Sequence, residues 1–279
     1  MTMDATIVAF VFLVLALGGA LFGIWLRDRL PEHHVSEHSR SIIVLSTKLI
    51  ATMTALLLGL LVSSANDSLQ TFSGGLERMG ARLATLDRLL TAYGPETQEA
   101  RHLLRRHTAQ TVAVGWPEER GRLAGLVLPA ELAAIGSLPE LAALDPADPT
   151  RALVAGAFLA RVEDVLLKLA PQDEAQRWRR GEALEQLNRI AEEHWLLVEK
   201  AQNALPRPLL VLLLAWLVIL FTTFGLFAPR NATVMTVLVL CSLSAAAAVF
   251  VILEMNSVTS GLMKASGEPL LKALRAMGQ

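Results

Sequence analysis

The sequence predicts an all-α integral membrane protein in which two transmembrane hairpins, four helices in all, flank a helical extramembrane bundle. Three observations carry that expectation. Four apolar runs, 5–26, 41–62, 208–228 and 232–253, are each about 20 residues long. As helices rising about 1.5 Å per residue they match a hydrocarbon core of about 30 Å. Most of the 25 basic and 26 acidic residues lie between Ala65 and Arg207, away from those runs. No segment alternates apolar and polar residues as a half-buried strand does.

Taken in order, the first run follows MTMDAT, which holds an acid and no base, and no small-residue cleavage site precedes Arg27. It therefore reads as a retained span and not a signal peptide. A polar loop, RDRLPEHHVSEHSR, follows over 27–40, with Pro31 interrupting any continuous helix. After the second run, leucines recur at helical spacing through SLQTFSGGLERMGARLATLDRLLTAY, placing Leu76, Leu83, Leu86 and Leu90 on one face of a helix continuing from the span. A Gly94-Pro95 turn then leads to a second helix, marked by Leu103, Leu104, Thr108 and Val112 and ending near Gly115-Trp116-Pro117. Gly- and Pro-rich 118–150 reads as short helices joined by turns. Helical periodicity resumes over 151–169 and 172–205, and Pro206 and Pro208 mark the join to the third run. The resulting divisions are a first hairpin at 1–64, the module at 65–207, a second hairpin at 208–254 and a helical tail at 255–279.

Only Pro229, Arg230 and Asn231 separate the last two runs, so both connections fall on one side of the membrane. That side carries Arg27, Arg29, Arg40 and Arg230, whereas no base precedes the first span. The positive-inside rule then places the short loops in the cytoplasm of a bacterial inner membrane. A net charge of −1 argues against nucleic acid as partner, because phosphate neutralisation needs a basic patch. One cysteine, Cys241, excludes an intrachain disulfide.

Lys48 is the sharpest single signal. It lies about two turns inside the second run, where an ionised side chain costs roughly 2.5 to 3.5 kcal/mol. Thr52, Ala55, Gly59 and Ser63 follow at helical spacing, so one face of the span is small or polar along most of its length. Two readings stand. Either this face lines a polar pathway between subunits, with Lys48 as the positive site an anion meets, or Lys48 snorkels to the headgroups while the small residues serve helix packing. Glu254, where the fourth run stops, is either a charge at a pathway mouth or an interfacial carboxylate with Lys264 as its nearest basic candidate.

His33, His34 and His38, with Glu32 and Glu37, form the one cluster of metal-like composition, and His34 and His38 would share a helix face. A solvated loop or a pH-responsive one explains them as well. Within the module, Glu182 with Glu185 and Arg189, and Glu192 and Glu193 with His194, read as a charged outer face. No phosphate loop, zincin motif or nucleophile elbow is present, and His107 and His194 lack a nucleophilic partner at any recognisable spacing. The chain is not expected to be an enzyme or to carry a cofactor.

LVSSANDS at the end of the second run, LDRLLTAYGPETQEARHLLRR with GWPEE, and ILEMNSVTSGLMKASGEPLLKALRAMGQ occur here in the order found in one family. The chain resembles the bacterial four-span proteins called bestrophin-like, defined by a domain of unknown function. The resemblance implies an architecture akin to bestrophins, pentameric anion channels with two membrane hairpins flanking a helical module. It implies a homo-oligomer in the lipid bilayer, with small inorganic anions as the species passed. The family's fourth span typically ends in Leu-Glu-(Leu or Met)-Asp, then a Pro and an aromatic residue. Here Glu254 and Gly261 are kept, Asn256 stands for the Asp, and Val258 and Thr259 stand for the Pro and the aromatic. Bestrophins keep the module and both termini in the cytoplasm, whereas the basic loops here favour the opposite sidedness. The alternative function is a membrane-anchored interaction or sensory protein, in which the module binds a partner and the spans anchor it.

Overall fold

The computed structural model describes residues 5–30, 37–126, 156–202, 207–229, 231–257 and 263–278. Among them every regular element is helical: α1 (Ala5–Arg29), α2 (Glu37–Tyr93), α3 (Gln98–Gly115), a short α4 (Arg120–Leu123), α5 (Gly156–Lys168), α6 (Glu174–Gln202), α7 (Arg207–Phe227), α8 (Ala232–Asn256) and α9 (Glu268–Met277). Four of these, α1, α2, α7 and α8, are long and apolar enough to cross a membrane. The polar loop expected over 27–40 is shorter than the sequence suggests. Nothing before Pro31 breaks a helix, so α1 continues through Arg27 to Arg29, and α2 already begins at Glu37.

The chain divides into two compact units, one of residues 1–68 and 204–257, the other of residues 69–203 and 258–279. α2 contributes to both.

In the first unit α1 packs along α7 through small residues, with Ala16 and Ala20 buried. A Cβ added at Gly23 would stand 2.0 Å from the Thr222 carbonyl oxygen, and one at Gly225 would stand 2.0 Å from that of Ala20. Only glycine lets the two backbones approach so closely. That is how helices gain packing energy in lipid, where leucine against leucine is no better than leucine against an acyl chain. α2 turns Thr47, Thr54, Leu61 and Ala65 inward. The two threonine hydroxyls donate to the Ile43 and Ile50 carbonyls of their own helix, each at 2.7 Å, so no polar group is stranded.

Three arginines of the short connections, Arg27, Arg29 and Arg40, have local partners. Arg27 Nη1 donates to the Ala228 carbonyl at 2.8 Å just beyond the end of α7, Arg29 lies over the Trp25 ring at 5.2 Å, and Arg40 over the Phe227 ring at 5.5 Å. Half-exposed Trp25 and these cations make the apolar-polar belt expected of a bilayer boundary.

The second unit has a core of the ordinary water-soluble kind. From α2 it takes Phe72, Leu76, Leu83, Leu86 and Leu90, from α3 Leu104 and Val112, from α5 Val162 and Leu166, from α6 Leu187 and Ile190, and from α9 Leu270, Leu271 and Leu274. α2 ends at Gly94, whose φ of 142° favours glycine, and the Thr97 hydroxyl bonds the Leu90 and Gly94 carbonyls at 2.6 and 2.8 Å. The C-terminal segment is fastened by the Trp116 indole, which donates to the Ala265 carbonyl at 2.6 Å, and by ion pairs Lys264–Glu118 and Arg122–Glu268, each at 2.5 Å. Lys264 beside Glu118 holds that carboxyl below its usual range, and Arg122 does the same for Glu268. Lys264 thus pairs with a carboxylate on the 3₁₀ turn Pro117–Glu119.

Candidate functional site: the outward face of the second span

α2 is apolar over most of its first half, and helical geometry sorts its side chains into separate faces. Thr47, Thr54, Leu61 and Ala65 take the inward face and meet the other spans of the unit. Lys48, Thr52, Gly59 and Ser63 all fall on the outward side and are exposed within the chain, as is Ala55. A Cβ at Gly59 would meet nothing within 4 Å, so this glycine, unlike Gly23 and Gly225, answers to no contact inside one chain. Leu45, Leu49, Leu56 and Leu60 run beside the polar stripe and are as exposed. The exposed Thr52 hydroxyl donates to the Lys48 carbonyl at 3.0 Å.

Lys48 stands at the edge of this face. Its side chain also borders a recess of about 420 Å³ between α2, α7 and α8. No periodicity in the sequence points to that recess, because its walls come from three stretches of chain far apart in number. Glu254 is half-buried in the last turn of α8. It lies about 33 Å from that helix's start at 1.5 Å per residue, so it is not brought near Lys48. His33 and His34 lie outside the described residues. His38 falls in the first turn of α2 with its side chain also outside them. Among the described residues no three His, Cys, Asp or Glu side chains converge as metal ligands. Cys241 is exposed on α8 and free.

The second unit corrects one expectation. The sequence pattern puts Glu193 and His194 on a charged outer face, and both are buried. Glu193 accepts two bonds from the Arg78 guanidinium, at 2.8 and 3.1 Å. His194 and His107 line one small void of about 20 Å³ with Thr108, Thr111 and Phe158, and His107 stacks on Phe158 with centroids 3.9 Å apart. Burial pushes His107 down to about 3, with the proximity of His194 adding to it, and pushes His194 down to about 4. Both rings are neutral at pH 7. The Thr111 hydroxyl lies 3.4 Å from His107 Nε2 and 3.1 Å from the His107 carbonyl oxygen, so the two rings and this hydroxyl make a polar spot in the core. By contrast Glu185 and Arg189 do form the expected i,i+4 pair on the surface of α6.

With four membrane helices, a long second helix shared by both units and no strand among the described residues, the structure defines a class: a multi-pass, all-helical membrane protein with a helical extramembrane module. The chain matches the Bestrophin-like domain over residues 14–270 and belongs to that family. Its fold is also similar to that of a bacterial bestrophin homologue from Klebsiella pneumoniae, solved as a crystal structure carrying one tryptophan-to-alanine mutation. The TM-score is 0.56, the identity 17%, and all of both chains is covered. No curated protein matches the chain.

Proposed function

We propose that the protein is an oligomeric ion channel of bestrophin type, in which the outward face of α2 from several copies encloses a pathway for small inorganic anions. The observation that carries this reading is that Lys48, Thr52, Gly59 and Ser63 share one exposed face of α2, beside exposed Leu45, Leu49, Leu56 and Leu60. A charge at that depth costs a few kcal/mol facing acyl chains, and less facing water along a symmetry axis. The Bestrophin-like family membership supports the same class of protein. Glu254 would stand at the far mouth.

Purified protein in planar bilayers is expected to conduct, with anions preferred over cations. Lys48→Glu should reduce or reverse that preference, and Ser63→Leu should lower conductance. Absence of current under all voltages, pH values and ions applied would remove the proposal. We place the short connections on the cytoplasmic side of a bacterial inner membrane, as their arginines favour. Reagent access to cysteines introduced at Ser36 and Ser137, from either side, decides this.

The unbroken 57-residue α2 favours a second reading, a membrane-anchored sensor that relays shifts along one continuous helix. Oligomer mass separates the two. A central pathway with one helix per subunit needs about four or more copies, whereas a relay works as a dimer.

A further inference from the structure

The recess between α2, α7 and α8 is lined by carbon, with Val44, Phe224, Phe227, Val237 and Leu238 among its walls. Its volume of about 420 Å³ falls in the range of about 300 to 1,000 Å³ typical of small-molecule sites. Of its polar lining groups, Thr47 and Thr223 turn their hydroxyls onto the Ile43 and Ile219 carbonyls of their own helices, at 2.7 and 2.8 Å. The Lys48 ammonium has no carboxylate partner among the described residues. Arg40 lies over the ring of Phe227, one of the recess walls.

We propose that this recess binds one anionic phospholipid from the leaflet on the short-connection side, its phosphate on Lys48 and an acyl chain along Phe224, Val237 and Leu238. An apolar molecule alone gains nothing by leaving lipid for a pocket of the same polarity. What distinguishes the recess from the surrounding bilayer is its charge, and a desolvated ammonium is best met by a charge-assisted bond to phosphate. A zwitterionic lipid brings a cation of its own and gains less. A second copy of the chain is a poor occupant, because the acidic residues of the four spanning helices in the first unit stand toward the ends of the apolar runs, at Glu37, Asp28, Asp67 and Glu254. Lys48 borders both the recess and the outward face of α2, so a lipid phosphate here would set the charge that face presents.

Native mass spectrometry of the full chain in mild detergent, with equal phosphatidylglycerol and phosphatidylethanolamine, tests this. One phosphatidylglycerol per chain should be retained. Lys48→Gln should weaken that binding about tenfold, the scale of one lost charge-assisted bond, whereas Lys48→Arg should keep it. Val237→Trp, which fills the recess and leaves Lys48 in place, should also displace the lipid. Equal retention of the two lipids, or wild-type retention in both Lys48→Gln and Val237→Trp, overturns the proposal. So does a change of oligomer mass in Val237→Trp without lipid loss, which would assign the recess to a contact between copies. Inorganic phosphate competing as well as the lipid would also overturn it, because the site would then be one for a free anion. The readout is mass and not current, so its failure leaves the conduction proposal standing.

Discussion

The two halves of α2 bury residues of the same kind for different reasons. In the first half, Leu61 is 1% exposed among other spans, and in the second, Leu86 is fully buried among α3, α5 and α6 residues. In water, burying Leu86 removes hydrocarbon from an unfavourable solvent and adds packing contacts. In a bilayer the alternative surroundings of Leu61 are acyl chains, so packing alone is left. One helix therefore obeys two rules along its length. The lipid half relies on close backbone approach and small residues, the aqueous half on a leucine stripe.

The largest expected effect probes the close approach. Gly225→Val should destabilise the first unit by more than about 3 kcal/mol, because its Cβ would meet the Ala20 carbonyl oxygen at 2.0 Å and backbone cannot rotate away. Gly59→Val, facing open space, should change stability by less than about 0.5 kcal/mol. Unfolding in mixed micelles with rising SDS measures both, and equal loss in the two would break the distinction. Next in size, Leu86→Ala should cost about 3 kcal/mol, a lost transfer term plus a cavity. Leu61→Ala should cost about 1 kcal/mol, because only the packing part applies. Two equal values would mean that lipid and water act alike on this helix.

The same contrast explains what the sequence discloses. The four spans are legible because length and apolarity suffice to mark them, and the aqueous half of α2 because Leu76, Leu83, Leu86 and Leu90 repeat at helical spacing. Lys48 stands out as a cation in an apolar run. The pairing of α1 with α7 does not, since Gly23 and Gly225 are far apart in the chain and no hydrophobic pattern records which small residues meet in lipid. The recess beside Lys48 is hidden for the same reason. The burial of His194 escapes a reading by charge although its signal is there: Leu187, Ile190, His194 and Leu197 recur at spacings of three, four and three, which places the histidine on the core stripe. The acids at 192 and 193 draw the reading toward solvent.

His194 on that stripe, together with His107 of α3, gives the aqueous unit a pH dependence. His107 and His194 have folded values of about 3 and about 4, below the ordinary unfolded value of about 6.5. For a base whose folded value is depressed, the unfolded chain binds protons first, so stability is full above pH 6.5 and falls as pH drops toward 4 and then 3. At pH 5 each ring should cost about 2 kcal/mol. Thermal unfolding of the full chain between pH 7.5 and 5, followed by exchange of module amides, should show the loss in the second unit and not in α1 or α7. His194→Gln should flatten the slope by about half. An unchanged slope in that variant would assign the acid sensitivity to other groups.

The smallest effect concerns the ion pair that joins the aqueous half of α2 to α6. Glu193 is 8% exposed at its side chain whereas Arg78 is 55% exposed, so water screens one partner and not the other. Arg78→Ala leaves a buried carboxylate without its guanidinium, but loss of the exposed arginine side chain opens that carboxylate to water, so the expected cost is about 1 kcal/mol. Glu193→Gln removes the buried charge itself and keeps a hydrogen-bond acceptor for Arg78, so it should cost less than Arg78→Ala. That ordering runs against simple removal of an ion pair, in which either partner's loss is equivalent. It follows from where the two charges sit, because an unpaired charge is costly only on the side that water does not reach. Denaturant unfolding of the two single variants and the double variant measures it. A double variant no more stable than Arg78→Ala would show that the buried carboxylate is already solvated, and that the aqueous half of α2 lies less tightly against α6 than the 3.2 Å between a Cβ at Gly75 and Glu193 Oε1 requires.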